Sequence, residues 1–359
     1  MKFAHFSHVW NRPGMTAAQR YEQLWRELAL ADELGYDFGF AVEHHFSPEE
    51  SWMASPPVYC TGAAACTKRM RIGPMGYIVP LYDPLRIVEE TAMLDNVLNG
   101  RLEIGLVSGI LSKFFGPYKA DFQNRRMLAE EGLSLIKTAF ASDGPFDFNG
   151  AAHCYEQVTL SVKPLQKPHP PVWIQSRDMG TLKLLAKEGA HTGSLFFMPR
   201  AEVAPRYRQY LDWWAEAKHS SKPNVGYWTL VYVGDSDEKA LAEAKPHIVH
   251  AFTKVFGFGD GGGIPFEQLA QTYESRGEHG AAEIARNVTN LDFLMARKLM
   301  FIGSPQTVIE QIRAAASEGL FNTLMGEFNF GYLAEDKLMR SMQLFATEVM
   351  PALRDFEPY

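Results

Sequence analysis

Residues 36–46, Tyr36-Asp37-Phe38-Gly39-Phe40-Ala41-Val42-Glu43-His44-His45-Phe46, decide how this chain is read. An apolar, strand-like run from Tyr36 to Val42 delivers a carboxylate and two imidazoles at its carboxyl end. In an α/β barrel that is the end where ligands bind, whereas the same residues elsewhere would be surface polarity. The reading turns on whether the rest of the chain builds a barrel around this strand.

Short apolar runs alternate with amphipathic helical patterns: Lys2 to Val9 then Thr16 to Leu34, Tyr36 to Val42 then Pro56 to Thr67, Arg71 to Val79 then Pro84 to Leu98, and Arg101 to Val107 then Asn124 to Phe140. The second half continues with Pro171 to Gln175 and Met179 to Glu188, His191 to Phe197 and Arg200 to Lys218, Asn224 to Val233 and Glu238 to Val255, and Asn322 to Phe328 and Glu335 to Val349. Such alternation marks repeated βα units and a parallel sheet. Near-continuous apolar runs such as Ile104-Gly105-Leu106-Val107 fit strands buried on both faces. Eight strand candidates, each followed by a helix, favour a closed (β/α)8 TIM barrel over an open doubly wound sheet, with residues 1–359 forming one domain.

Two stretches interrupt the pattern. Residues 142–167 hold Phe146 to Gly150 and Val158 to Val162, which read as a small hairpin covering the surface before the fifth strand. Residues 256–300 form an enlarged insert between the seventh and eighth units, with Gly257, Gly259 and Gly261 to Gly263 supplying permissive backbone near its start. Long inserts in compact domains are commonly functional, so this one reads as a lid over the active site; the alternative is an excursion of two helices packed on the rim. A helix from Pro305 to Ser317 then precedes the eighth strand.

The net charge of -7, from 35 basic and 42 acidic residues with no long Lys/Arg tract, argues against a nucleic-acid partner. Cys60, Cys66 and Cys154 are too few for a disulfide framework and show no Cys-x-x-Cys spacing, so they read as buried free thiols. The amino end lacks an apolar leader core, which points to the cytoplasm, and no run approaches the apolar length of a membrane span.

Ligand-facing residues should follow each strand: Phe6 to His8, Glu43 to Phe46, Met75 to Pro80, Val107 to Gly109, Gln175 to Thr181, Phe196 to Met198, and Glu327 to Gly331. This mixture of aromatic and apolar groups with a few histidines, hydroxyls and glycines suits a flat, partly apolar ligand. Ser176-Arg177-Asp178-Met179-Gly180-Thr181 opens a helix, where free N–H groups, the dipole and a guanidinium favour phosphate; plain capping by Ser176 or Asp178 is the alternative. His44, His45, Glu43 and the distant His5 and His8 could converge on a metal, but His44 and His45, adjacent in an extended segment, point to opposite sides and could not easily ligate one ion, so no metal is expected. A general acid or hydrogen-bond donor role for one histidine fits better. There is no Gly-x-Gly-x-x-Gly after the first strand, no Walker loop and no Gly-x-Ser-x-Gly elbow, which removes support for Rossmann nicotinamide binding, nucleotide hydrolysis and esterase chemistry.

Glu43-His44-His45-Phe46, Ile72-Gly73-Pro74-Met75-Gly76, Val79-Pro80, Asp83-Pro84-Leu85-Arg86, Leu94-Asp95 and Asn99-Gly100-Arg101-Leu102-Glu103-Ile104-Gly105 fall in the order and spacing of the bacterial luciferase-like flavin monooxygenases, which the chain resembles nearly end to end. Lys163 to Ile174, Gly303-Ser304-Pro305 and Ser341 to Pro351 extend the resemblance. It implies FMN, delivered reduced by a separate flavin reductase, with O2 adding to form a peroxyflavin that oxygenates a small organic substrate. It implies a catalytic His44 supported by His45 and Glu43, a non-proline cis peptide at Met75-Gly76, and an FMN phosphate near Ser176, Gly180 and Thr181 with Arg177 as an added cation. Phe6, Val107 and Ser108 complete the expected flavin contacts. At Val107-Ser108 luciferase itself has a reactive cysteine and a phosphate-contacting arginine; light emission is therefore not supported, and Arg177 or Lys113 would supply the missing charge. The family also implies a homodimer through Pro56 to Thr67 and Pro84 to Leu98, where Gly62 to Ala65 permit close helix approach; packing within one subunit is the alternative. Relatives of the same fold that transfer hydride with a deazaflavin, and non-catalytic luciferase-like subunits, are the competing functional readings.

Overall fold

In the computed structural model, residues 1–251 and 266–359 are described. The strands are β1 (Lys2–Ser7), β2 (Phe38–Ala41), β3 (Arg71–Pro74), β4 (Tyr77–Ile78), β5 (Ile104–Val107), β6 (Phe146–Asn149), β7 (Cys154–Val158), β8 (Val172–Trp173), β9 (Thr192–Leu195), β10 (Val225–Val233), β11 (Phe301–Gly303) and β12 (Thr323–Glu327). The helices are α1 (Ala17–Leu34), α2 (Pro56–Cys66), α3 (Pro84–Val97), α4 (Phe115–Tyr118), α5 (Arg125–Ala141), α6 (Met179–Glu188), α7 (Arg200–Glu216), α8 (Asp237–His250), α9 (Phe266–Glu274), α10 (His279–Arg286), α11 (Leu291–Ala296), α12 (Pro305–Gly319) and α13 (Glu335–Leu344).

Local sequence explains the helix ends. Thr16 and Gln19 form a capping box before α1, and Gly35 ends that helix with φ 86°. Asp83 and Ser304 cap α3 and α12, each with proline in the first turn, where its missing N–H costs nothing.

The architecture is α/β with a parallel sheet of TIM-barrel type. Parallel pairing links β12 to β1, β1 to β2 and β2 to β3. An Ile72–Leu102 bridge and the β4–β5 ladder carry it onward. From β5 it passes to β8, through a Trp173–His191 bridge to β9, and through β10 back to β12. Glycines let neighbouring strands approach: an added Cβ at Gly73 would lie 2.2 Å from the Glu103 carbonyl oxygen, and one at Gly105 would lie 2.1 Å from that of Pro74. Phe38 and Phe40 stack at 5.2 Å and meet Trp173 edge-on, filling the interior beneath the mouth. Burying each such ring contributes roughly 2–3 kcal/mol.

Three details differ from the sequence expectations. The third strand breaks into β3 and β4 at Met75–Gly76, although the cis peptide bond there is the one the resemblance implied. The hairpin after α5 pairs β6 with β7 at Cys154–Val158 rather than at 158–162, because the Glu131 carboxylate accepts from the N–H groups of Ala152 and His153 at 3.0 Å each and fixes an earlier turn. Before the α12 expected at 305–317, β11 extends the sheet by pairing with the far end of β10, a three-residue element below the length that periodicity detects. The start of the expected insert, including Gly257, Gly259 and Gly261 to Gly263, lies outside the described residues; α9, α10 and α11 follow it. Among the described residues no helix is long and apolar enough to cross a membrane. Cys60 is the one buried cysteine; Cys154 is exposed, against expectation, because it opens the outward-facing β7.

Candidate active site

The loops after β1 and β2 are zipped together. Asn11 N–H donates to the Glu50 carbonyl at 2.9 Å, Trp52 N–H to that of Val9 at 3.1 Å, and Trp10 and Ser51 form an antiparallel bridge. Val9 and Phe46 adopt φ 51° and 53°, a left-handed conformation that is a genuine outlier for a β-branched residue such as Val9. This clip carries His8 on one side and His44 with Glu50 on the other.

His44 and His45 do diverge. His44 Nδ1 lies 2.7 Å from Glu50 Oε1, while His45 Nε2 lies 2.7 Å from Glu43 Oε1. Glu43 is buried and also accepts from Ile78 N–H and from Tyr82 O–H, each at 2.7 Å. Tyr118 O–H reaches His45 Nδ1 at 3.3 Å. Burial, followed by Glu43, raises the Tyr82 phenol well above its ordinary range, so it stays neutral and donates. Glu43 therefore ties the break between β3 and β4 to His45, and both are enclosed by protein partners. His44 keeps a 16% exposed side chain and is the triad member facing outward.

Of the groups that surround His44, the sequence reading placed His8 on the mouth but did not single out Glu50 or Phe114. His8 meets it edge-to-face at 5.2 Å, and Phe114 lies 5.4 Å away. His8 Nδ1 is 2.9 Å from both carboxylate oxygens of Glu327, at the end of β12. Glu327, fully buried, also accepts from His8 N–H at 2.9 Å, from Trp228 Nε1 at 3.0 Å and from Trp10 Nε1. Ring placement at strand ends was the signal for Glu327 and His8, and His8 was also named as a group that could converge with His44; nothing in the sequence marked Glu50 as the partner of His44. The trio His8, His44 and Glu50 brings one ligand atom each within 4.8 Å of the others; His8 and His44 were among the metal candidates weighed from the sequence, whereas Glu50, in place of His45 and Glu43, was not.

The remaining expected contacts fall into two groups. Phe6 (3% exposed) tilts against Trp228 and His8 inside the barrel, and Met75 and Gly76 sit beside β5. Val107 and Ser108 are half-buried at the end of β5, so these residues share the mouth. At the start of α6, Asp178 is the cap: its carboxylate accepts from Thr181 N–H at 2.9 Å, and its own N–H donates to Ser176 Oγ at 3.2 Å. Thr181 Oγ1 donates to Glu130 at 2.7 Å, and Gly180 is exposed. Arg177 pairs with Glu278 at 2.7 Å and lies over Tyr273 at 5.2 Å, the first just before α10 and the second in α9. Capping thus engages the N–H groups of Thr181 and Gly180, and the Asp178 carboxylate itself faces the space above Gly180. Lys113, the other cation considered, lies over Phe114.

A cleft of about 360 Å³ lined by Lys2, Asp37, Arg69 and Arg71 opens at the opposite end of the barrel. Its polar groups are engaged within the protein: Lys2 donates to Asn224, and Arg71 pairs with Glu103 and Asp37 with Arg354. That end of a barrel serves stability.

A barrel of this type with acid–base side chains gathered at its carboxyl-terminal mouth is the architecture of an enzyme. The chain belongs to the luciferase-like monooxygenase family, whose model matches residues 1–322. It is 24% identical over 373 residues to the oxygenase component of the flavin-dependent trigonelline monooxygenase of Acinetobacter baylyi, covering 99% of this chain and 96% of that protein. It shares its fold with the oxygenating constituent of 3,6-diketocamphane monooxygenase of Pseudomonas putida, a type II Baeyer-Villiger enzyme solved with FMN (TM-score 0.77, 20% identity, 98% of each chain). The coenzyme F420-dependent tetrahydromethanopterin reductase of Methanopyrus kandleri shares it less closely (TM-score 0.68, 17% identity, 98% of each chain). The family and its relatives make the chain an oxidoreductase of flavoprotein type.

Proposed function

We propose that the chain is the oxygenase component of a two-component system, taking reduced FMN from a separate flavin reductase and using O2 to oxygenate a small organic substrate. The observation that carries this reading is the mouth itself, where a partly exposed imidazole, His44, stands against the buried rings of His8 and Phe114. FMN fits these residues. Met75, Gly76, Phe6, Val107 and Ser108 offer a flat, mostly apolar bed, and Arg177 with the N–H groups opening α6 suits its phosphate. Bound reduced FMN would supply the electrons that activate dioxygen. Around it, Phe6, Trp228 and Phe114 exclude water, α9 to α11 act as the lid, and His44 holds or delivers the proton at the reacting atoms. Glu43 and His45 position this machinery rather than touch substrate. Two copies would pair through α2 and α3.

Anaerobic titration with reduced FMN and with a reduced deazaflavin, followed by oxygen uptake over a substrate panel, tests the proposal. The expected result is preference for FMN, product formation with a generic reductase, and a loss of about 10²–10⁴ in turnover for His44→Ala with flavin affinity kept. Tight binding of deazaflavin alone would show a hydride-transfer enzyme instead, and flavin binding without any product would show a non-catalytic subunit.

A further inference from the structure

We infer that Glu50 is a positioning residue for His44: its carboxylate accepts a hydrogen bond from Nδ1–H, which holds the ring proton on Nδ1 and leaves Nε2 as the nitrogen presented to the mouth. The inference rests on the oxygenase reading only for what His44 then does; the placement of the proton stands on the dyad's own geometry.

Four observations support it. The Nδ1–Oε1 separation is 2.7 Å, a charge-assisted hydrogen-bond distance, and the Glu50 side chain is 3% exposed against 16% for His44, so the bonded edge of the ring faces inward. Burial alone would raise the Glu50 carboxyl, yet the charge and hydrogen bond of His44, with His8 and Lys113 beyond, hold it below the ordinary carboxylate range. Glu50 cannot drift, because its own carbonyl accepts from Asn11 and its N–H donates to the Ser47 carbonyl at 3.0 Å. Finally, the Glu327–His8 dyad braces the His44 ring from its face, so two carboxylate–imidazole pairs meet at 5.2 Å and fix the ring plane. A ring nitrogen's protonation is set by the hydrogen bond the other nitrogen makes, and a carboxylate on Nδ1 is the arrangement that keeps Nε2 free for proton transfer.

The test uses full-length protein with ¹⁵N-labelled histidine, His44 being assigned by difference against His44→Asn. In the unsubstituted protein the neutral His44 ring is expected to carry its proton on Nδ1. Glu50→Ala should lose that preference and lower kcat by tenfold or more with little change in KM. Glu50→Gln, whose amide oxygen still accepts, should keep the Nδ1 proton but move its resonance upfield and recover part of kcat. An Nε2-protonated ring in the unsubstituted protein, an unchanged ring pattern in Glu50→Ala, or an unshifted Nδ1 proton in Glu50→Gln would each overturn the inference. The ring signals are read without substrate, flavin or oxygen, so a chain that proved not to be an oxygenase would leave this result standing.

Discussion

At Gly76 an added Cβ would lie 2.3 Å from the Gly105 carbonyl carbon and 2.7 Å from the Leu106 nitrogen, both backbone atoms of β5 that have nowhere to move. Gly76→Ala is therefore expected to cost about 2–3 kcal/mol, read as a lowered midpoint in urea unfolding, and to weaken flavin binding by opening β4 from β5. At Gly180 an added Cβ meets only the Asp178 carboxylate at 3.3 Å, within an exposed first helical turn. Gly180→Ala should change stability by less than about 1 kcal/mol, with either sign. Equal losses at the two sites would mean that strand proximity does not dictate the glycine. At this scale the sequence showed Glu43, His44 and His45 because they are contiguous and end a strand. It did not show Glu50 or Glu327 as partners, because a loop crossing and a closure between β12 and β1 bring them in from 6 and 319 residues away.

The elements that 3.6- and 2-residue periodicity covers, α1, α3, β1, β10 and β12 among them, were legible to within a few residues, as was the short β8 within Pro171 to Gln175, whereas the three-residue β11 is set by its pairing with β10 rather than by its own pattern. The segment α9 to α11 depends on few anchors. Glu278 holds Arg177, and the Gly280 N–H donates to Glu202 at 2.8 Å, which fixes the start of α10 on the first turn of α7. Glu278→Gln should lower the local opening free energy of residues 266–296 by about 1 kcal/mol, seen as faster amide exchange there with β1 and β12 unchanged. On the outer face of the barrel, Val58 of α2 with Met93 and Val97 of α3 are 65%, 56% and 53% exposed. Met93 and Val97 lie one turn apart and form an apolar strip that water would otherwise cover. The proposed dimer predicts that Val97→Glu sediments as a monomer while the unsubstituted chain sediments as a dimer at micromolar concentration; a monomer in both cases would reject pairing through this face.

For the molecule as a whole, the buried titratable groups outside the mouth set the response to acid. His191, packed between Trp173 at 4.9 Å and Trp214 at 5.9 Å, is pushed down to about 3 by burial, with Lys2 and Arg71 adding to the effect. Burial would raise the Glu27 carboxyl, but Arg20 at 3.1 Å, the adjacent His5 and Arg12 hold it down to about 2. Both folded-state values lie below those of the unfolded chain, 6.5 for histidine and 4.5 for glutamate, so in each interval the unfolded chain binds the proton that the folded chain refuses. Their contributions are complete above pH 6.5. As pH falls, His191 acts first, from 6.5 toward 3, and Glu27 adds to it from 4.5 toward 2. At roughly 1.4 kcal/mol per pH unit and per proton, His191 accounts for a loss of about 3 kcal/mol between pH 6.5 and 4.5. Urea unfolding across this range should show that slope in the unsubstituted protein and a flatter one in His191→Gln, while the further fall below pH 4.5 persists in both. Parallel slopes between pH 6.5 and 4.5 would assign the acid sensitivity to other groups.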